Sequence, residues 1–167
     1  MTKIIGLNVW LEDDSDKSAA FKECVADLLE NDLVKQLDMF KQHCNTSRLQ
    51  HCINVSYYSY RICKMLRLDF VSAARAGILH DLFLYDWRET CTKLIHTKEH
   101  PKEALKNAME ITNINHVEAD AIVRHMFPFC AFPKFKESYV VSIADKYCAT
   151  VEVVTAFKNY IKAKLIG

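Results

Sequence analysis

Residues that interrupt regular secondary structure are rare in this chain. Only three glycines and three prolines occur among the 167 residues, and these two residue types most often break helices and strands. Few segments alternate strictly between apolar and polar residues, as half-buried strands do. We therefore predict an all-α protein, folded as a single-domain helical bundle.

The length of the chain fits one folded unit. A typical domain has about 100–200 residues, and half of the residues here are apolar, so a sizeable core can be buried. We expect residues 18–167 to form this domain. Residues 1–17 are expected to form an N-terminal arm of irregular or short extended structure.

The charge balance limits the class of partner. Lys and Arg together number 22, Asp and Glu number 21, and the net charge is +1, whereas a nucleic-acid groove needs a basic face. A small anionic ligand remains compatible, because a local cluster of cations is enough to bind it. The seven cysteines are an odd number without a Cys-x-x-Cys pair, which favours reduced thiols. No apolar run reaches the about 20 residues of a membrane span, and we predict a cytoplasmic protein.

Hydrophobic periodicity and capping residues predict seven helices. Ser18 and Asp69 are expected caps, and Pro101 suits the first position of a helix, with His100 just before it. The predicted helices cover about residues 18–31, 33–40, 47–66, 70–81, 101–112, 116–126 and 137–164. The segments 43–46 and 127–136 are expected to be loops, and residues 85–99 a looser linker.

Two polar side chains lie on apolar faces of these predicted helices. Asp145 shares a stripe with Val141 and Cys148, and His51 lies on the same side as Val55. A buried carboxylate needs a cation or a strong donor beside it, unless the helix turns it towards water. A single histidine on such a face is more often a hydrogen-bonded core residue than a metal ligand. Both residues are candidate ligands, and the core and solvent-facing alternatives stay open.

His80 and Asp81 are a third candidate. Neighbouring side chains on a helix point about 100° apart, so the two can bind one ion only where a helix ends and the chain turns. The residues before them are small, which would let a second helix approach closely; they are Ala73, Ala74, Ala76 and Gly77. An isolated His-Asp pair is common, so this pair depends on its context.

Three short motifs together resemble a known family. The motifs are Arg48-x-x-His51, Ala76-Gly77-Ile78-Leu79-His80-Asp81 and Ile143-Ala144-Asp145-Lys146. Their order, His…His-Asp…Asp, resembles the HD superfamily of metal-dependent phosphohydrolases over about residues 46–154. The resemblance implies a helical fold with one divalent metal ion held by the four ligands His51, His80, Asp81 and Asp145.

Two further histidines extend this resemblance. With His100 and His125 the order is similar to that of the subgroup that cleaves dinucleoside tetraphosphates symmetrically. In that case Asp81 would bridge two ions, and His100 and His125 would bind the second. A position at a helix start would also disfavour protonation of His100 and leave a lone pair for metal. His96 is an alternative to His100, and capping or core roles stay open for His100 and His125.

The predicted ligands indicate a chemistry. Mixed imidazole and carboxylate ligands suit one or two ions of iron, manganese, cobalt, nickel or zinc, which can lower the pKa of a water molecule toward about 7 and supply hydroxide. We expect hydrolysis of a phosphate ester or anhydride in a nucleotide or a related small molecule. The expected catalytic residues are Asp81, His80 and Arg48. The expected phosphate contacts are Arg48, Lys146, Arg124 and Lys102.

Other functions are compatible with the same residues. They are a one-metal nucleotidase in which His100 and His125 are structural, a nucleotide-sensing module without turnover, and a di-iron oxygenase like some relatives of the family. Tyr85 and Trp87 could stack on a base, fill the core or lie exposed in the linker. The sequence is also compatible with a homodimer.

Overall fold

The computed structural model describes residues 16–42, 44, 46–90 and 92–166. Within these residues the chain forms eight α-helices, one short 3-10 helix at Gln36–Met39 and no strand. The α-helices are α1 Asp16–Glu30, α2 Asp32–Lys35, α3 Arg48–Leu66, α4 Phe70–Leu79, α5 Trp87–Thr90, α6 Lys93–Ile111, α7 His116–Arg124 and α8 Lys136–Ile166. The all-α prediction is confirmed. None of the helices in the described ranges has the length and apolar character that crossing a lipid bilayer requires.

Side-chain caps fix where three of the helices begin. Ser47 precedes α3, and its Oγ accepts a hydrogen bond from the backbone N–H three residues later at 3.2 Å. Asp69 precedes α4 and accepts in the same way at 3.0 Å, as predicted. Asn115 and Glu118 form a capping box at the start of α7. These bonds satisfy backbone donors that the first turn of a helix leaves without a partner.

The helix α3 packs against α4 and α8, and α7 packs against α4, α6 and α8. The helices α3 and α4 approach each other closely at Gly77, where an added Cβ atom would lie 2.4 Å from Ser56 Cα. Ser56 Oγ also donates a hydrogen bond to the carbonyl oxygen of Ala74 at 2.6 Å. Small residues therefore set the distance between the helices that carry His51 and His80.

The helix α6 begins earlier than predicted. It starts at Lys93 with Thr92 as its N-cap residue, and the short helix α5 precedes it. The prediction of a loose linker over residues 85–99 was therefore wrong. Pro101 lies inside α6 rather than at its first position.

Tertiary contacts explain this difference. The rings of Trp87 and His96 stack with centroids 5.0 Å apart, and those of His96 and His100 stack at 4.3 Å. This series of rings holds the two turns before Pro101 in a helical arrangement. Packing of this kind overrides the local preference of proline for a helix start.

Two smaller differences lie near the N-terminus. The single helix predicted for residues 33–40 is the four-residue helix α2 followed by the 3-10 helix. The helix α1 begins at Asp16, so the last part of the predicted arm is helical. Residues 1–15 of that arm lie outside the described residues.

Candidate metal centre

Five helices bring the six predicted ligands to one place. Three of the side chains lie within helices, namely His51 on α3, His100 on α6 and Asp145 on α8. His80 and His125 are the residues that cap the C-termini of α4 and α7, and Asp81 follows His80. The end of α4 therefore allows the adjacent His80 and Asp81 to face the same point, as the sequence required.

The two carboxylates lie between the imidazole rings. Asp81 Oδ1 is 3.3 Å from His100 Nε2 and 3.6 Å from His125 Nε2. Asp145 Oδ1 is 3.1 Å from His51 Nε2 and 3.8 Å from His80 Nε2. The ligand atoms form three sets, and within each set they lie within 4.8 Å of one another. The sets are His51, His80 and Asp81; His80, His125 and Asp145; and Asp81, His100 and His125.

Backbone carbonyl groups orient three of the four imidazoles. The Nδ1 atom of His80 is 2.9 Å from the carbonyl oxygen of Gly77, and Nδ1 of His125 is 2.7 Å from that of Ile122. His100 Nδ1 lies 2.7 Å from the carbonyl oxygen four residues earlier. Each carbonyl can only accept, so each Nδ1 donates. In the neutral form of each ring, the Nε2 atom then faces the other ligands with a lone pair available.

The prediction that His100 lies at a helix start, where the dipole would disfavour its protonation, was wrong. His100 lies inside α6, so the dipole at a helix start does not act on it. The bond from its Nδ1 to the backbone of its own helix fixes the tautomer instead.

His51 is held by two carboxyl groups. Its Nε2 is 3.1 Å from Asp145 Oδ1, and its Nδ1 is 3.0 and 3.1 Å from the two oxygens of Glu152. Burial alone would lower the pKa of His51, but the hydrogen bonds that its ring donates to Asp145 and Glu152 raise it to about 10. In the absence of metal, His51 is therefore protonated at neutral pH.

The other charges of the cluster also oppose the effect of burial. Burial alone would raise the pKa of Asp81, yet the nearby imidazoles, His80 first, hold it well below its usual value. In the same way the hydrogen bond from His51 lowers the pKa of Asp145 against the effect of burial. Burial lowers the pKa of His125 to about 3. Ionised carboxylates and a neutral imidazole are the forms that bind metal ions.

Buried atoms of the cluster lack hydrogen-bond partners among the described residues. They include His80 Nε2 and Asp81 Oδ1. In addition, the Nε2 atoms of His100 and His125 face each other at 2.9 Å, and two lone pairs so close repel unless a proton or a cation lies beside them. With metal–nitrogen bonds of about 2.0–2.1 Å, both nitrogens could bind one ion side by side. The residues present therefore fit a metal centre.

Four of the six clustered residues line an open pocket of about 410 Å³, namely Asp81, His100, His125 and Asp145. Asp81 and Asp145 reach this pocket, together with the cations Arg88 and Lys146. Lys146 Nζ is 3.6 Å from Asp145 Oδ2 and donates to the carbonyl oxygen of His125 at 2.7 Å. Apolar and aromatic side chains also line this pocket, namely Trp87, Met126 and Phe129. The pocket thus combines acidic metal-ligand atoms, two cations and flat apolar surface.

The structure argues against Arg48 as a direct phosphate contact. Its side chain is fully buried. Its guanidinium group donates to the carbonyl oxygens of Phe83 and Tyr85 and to Gln42 Oε1 at 2.5, 3.2 and 3.0 Å. Gln42 Nε2 in turn donates to Asp81 Oδ2 at 2.5 Å. Arg48 therefore supports the site indirectly, because it binds Gln42, which in turn binds Asp81.

Two other predicted phosphate contacts lie outside the pocket. Lys102 and Arg124 line a neighbouring groove. Lys102 is exposed and pairs with Glu99 at 2.9 Å, and Arg124 pairs with Asp120 at 2.6 Å. Of the predicted contacts, Lys146 is the one that the structure places beside the cluster.

His96 does not join the sets of ligand atoms found among the described residues. Its ring lies between the rings of Trp87 and His100. Burial and the charge of His100 lower its pKa to about 4, so the ring is neutral at neutral pH. Between the two alternatives, the geometry favours His100 as the ligand.

The sequence did not point to three residues at this site. Glu152 lies seven positions after Asp145, a spacing that puts both on one face of a helix, and this spacing could have indicated it. Gln42 and Arg88 come from irregular or short elements, for which periodicity gives no signal. The positions of Gln42 and Arg88 depend on tertiary contacts, such as the hydrogen bond from Arg48 to Gln42.

Comparison with known proteins agrees with this geometry. The HD domain family model matches residues 48–150, more than half of the chain and a region that includes all six clustered side chains. No curated protein and no solved structure gave a significant match. The chain belongs to the HD domain family. Proteins of this family are generally metal-dependent phosphohydrolases, and their domains bind divalent metal ions.

Proposed function

We propose that the protein hydrolyses a phosphate ester or anhydride in a small molecule, with a nucleotide as the preferred substrate. One observation carries the proposal: two carboxylates and four imidazoles converge, and both carboxylates and two of the imidazoles line an open pocket that also contains two cations. A structural metal site is closed to solvent, whereas a catalytic site keeps an open position for water and substrate.

The six clustered residues are the proposed metal ligands. Bound divalent ions would lower the pKa of a water molecule and neutralise charge on phosphate oxygens. Asp81 takes part in two of the three sets of ligand atoms, one with His51 and one with His100. This arrangement supports a role for Asp81 in holding two ions, which the six residues together would bind.

The cations of the pocket are the proposed phosphate contacts. Lys146 lies beside Asp145, and Arg88 lines the same pocket with a side chain that is 44% exposed. A phosphate at the ligand cluster would therefore meet two positive charges, which strengthen hydrogen bonds to its oxygens. These two residues replace Arg48 in our assignment.

The aromatic residues that line the pocket support a nucleotide as the substrate. Trp87 and Phe129 line the pocket, and the side chain of Phe129 is 74% exposed. Flat aromatic side chains of this kind stack on nucleobases. The extended order of histidines also resembles the subgroup that cleaves dinucleoside tetraphosphates, so these molecules belong in the substrate panel along with mononucleotides.

Metal content and turnover together test this proposal. We expect the purified protein to contain one or two equivalents of a transition metal, and Asp81→Ala to lose most of the metal while keeping its helical circular dichroism. Product formation from the nucleotide panel, measured by chromatography because symmetrical cleavage of a dinucleoside tetraphosphate gives two nucleoside diphosphates and no free phosphate, should require added metal in chelator-treated protein. Unchanged metal content in Asp81→Ala would contradict the site, and metal binding without turnover on any substrate would favour a sensing module.

A further inference from the structure

Glu152 occupies an unusual position next to the cluster. It lies on α8 two turns after Asp145 and just beyond the region matched by the family, which ends at residue 150. Its side chain is fully buried. Both carboxyl oxygens are within 3.1 Å of His51 Nδ1, and His51 is its one hydrogen-bond partner among the described residues.

His51 differs from the other clustered histidines in what orients its ring. The rings of His80, His100 and His125 donate to backbone carbonyls of their own helices. Both ring nitrogens of His51 instead contact carboxyl groups, Nε2 that of Asp145 and Nδ1 that of Glu152. The orientation of the His51 ring therefore depends on a side chain that comes 101 residues later in the chain.

A buried carboxyl group with one partner is costly unless that partner compensates it. Glu152 is not among the residues that line the pocket. It contacts Nδ1 of His51, whereas Asp145 contacts Nε2 on the other side of the ring. An acceptor at this place fixes which ring nitrogen carries the proton and increases the basicity of the other. A third carboxyl group also helps to balance the positive charge of two divalent ions.

The geometry points to Glu152 as a positioning residue that holds the Nε2 atom of His51 towards the metal, an inference that rests on the metal site proposed above. Loss of such a supporting acceptor typically weakens metal binding by about 10–100-fold. Replacement by Gln keeps one oxygen that can accept the hydrogen bond from Nδ1, so Glu152→Gln should retain more affinity than a variant without an acceptor.

Titration of the chelator-treated full chain with Co²⁺ tests this role. The variant Glu152→Met fills a similar volume without an acceptor, and we expect its Co²⁺ affinity to fall about 10–100-fold, with a changed visible absorption spectrum of the bound cobalt. Glu152→Gln should lie between the Met variant and the wild type. Glu118→Gln is the matched control, because Glu118 is a buried carboxyl group bonded to Asn115 and Arg75, outside the cluster.

Each outcome distinguishes the inference from the proposed function. If wild-type protein binds Co²⁺ and Glu152→Met binds it equally well with the same spectrum, the positioning role is wrong while the metal site stands. If Glu152→Met lacks native helicity, Glu152 serves folding and the positioning role is likewise wrong. If the wild type itself binds no Co²⁺, the proposed function fails first.

Discussion

Arg48 lies one helical turn before His51, where a phosphate contact was expected, yet it faces the interior of the protein. Its guanidinium group lies 3.6 Å from the centroid of the Phe83 ring and donates to two carbonyl oxygens and to Gln42. The Arg48 side chain therefore holds the backbone of the segment that follows Asp81. It also holds Gln42, which donates a hydrogen bond to Asp81. Arg48 is therefore a supporting residue of the site.

Replacement of Arg48 by Lys should destabilise the protein. We expect Arg48→Lys to lower the free energy of unfolding by about 2–4 kcal/mol, because one ammonium group cannot replace the planar fork of donors and leaves buried carbonyls unsatisfied. Urea denaturation of the metal-free chain measures this change. Arg88→Lys, at a partly exposed position, is the control and should change stability by under about 0.5 kcal/mol. A higher KM at unchanged stability would instead restore Arg48 as a phosphate contact.

Lys146 should act on substrate rather than on metal. We expect Lys146→Met to raise KM about tenfold or more, because a hydrogen bond to a charged group contributes about 1.5–3 kcal/mol. The metal content should stay at the wild-type value, since Lys146 cannot be a ligand while it is an ammonium group. Steady-state kinetics with elemental analysis measures both, and Lys102→Met, outside the pocket, serves as the control. Equal kinetics in Lys146→Met and wild type would exclude the contact.

The residues of the cluster could be predicted because their spacing is a property of the sequence. His51, the pair His80-Asp81 and Asp145 stand in an order that resembles the family, and their convergence needs only that the helices pack. The roles of Arg48, Glu152 and Gln42 could not be predicted in this way. Whether such a side chain faces the pocket or the interior depends on tertiary contacts that no local pattern encodes.

At the scale of helices, the contact between α3 and α4 at Gly77 is the most restrictive feature. An added Cβ atom would meet the backbone of Ser56 at 2.4 and 2.7 Å, and backbone cannot move aside as a flexible side chain can. We expect Gly77→Ala to destabilise the protein by about 1–3 kcal/mol or more, although Ala favours helices by about 1 kcal/mol over Gly.

Thermal unfolding of the metal-free protein measures this effect. The two helices also carry His51 and His80, so the same variant should weaken metal binding. Asn115→Ala is a useful comparison, because it removes a helix cap at a cost of about 1 kcal/mol without separating α3 from α4. A Gly77→Ala protein as stable as the wild type would mean that the helices can shift apart freely.

Most helices could be predicted, because apolar periodicity and caps such as Asp69 are local signals. The start of α6 could not, because Pro101 is typical of a helix start and the residues before it are held by ring stacking between Trp87, His96 and His100. Errors of this kind arise where tertiary packing competes with a strong local preference.

At the scale of the whole molecule, the coupled charges of the cluster predict how stability depends on pH. The pKa of His51 is raised to about 10, above the about 6.5 of an unfolded histidine. Its contribution is fully present below pH 6.5 and is lost as the pH rises towards 10. The pKa values of His125 and His96 are lowered to about 3 and 4, so their contribution is present above pH 6.5 and is lost as the pH falls.

The metal-free protein should therefore be most stable near pH 6.5. Urea denaturation between pH 4 and pH 9 in the presence of chelator measures the profile. His51→Gln is the control, because it removes one of the two clustered histidines whose pKa is raised, the other being His100, and it should reduce the loss on the alkaline side. A flat alkaline side in the wild type would contradict the proposed pairing of His51 with Asp145 and Glu152.

The clustered ligands and the apolar residues of the pocket belong to different structural elements. The ligands on α3 and α4 are spaced by backbone packed directly on backbone, whereas Met126 and Phe129 belong to the connection between α7 and α8. This connection begins at the proposed ligand His125, so we expect its substitutions to spare metal binding only where they lie further along it, as at Phe129. If the proposed function holds, a library restricted to residues 129–135 should alter substrate preference while the metal content stays at the wild-type value.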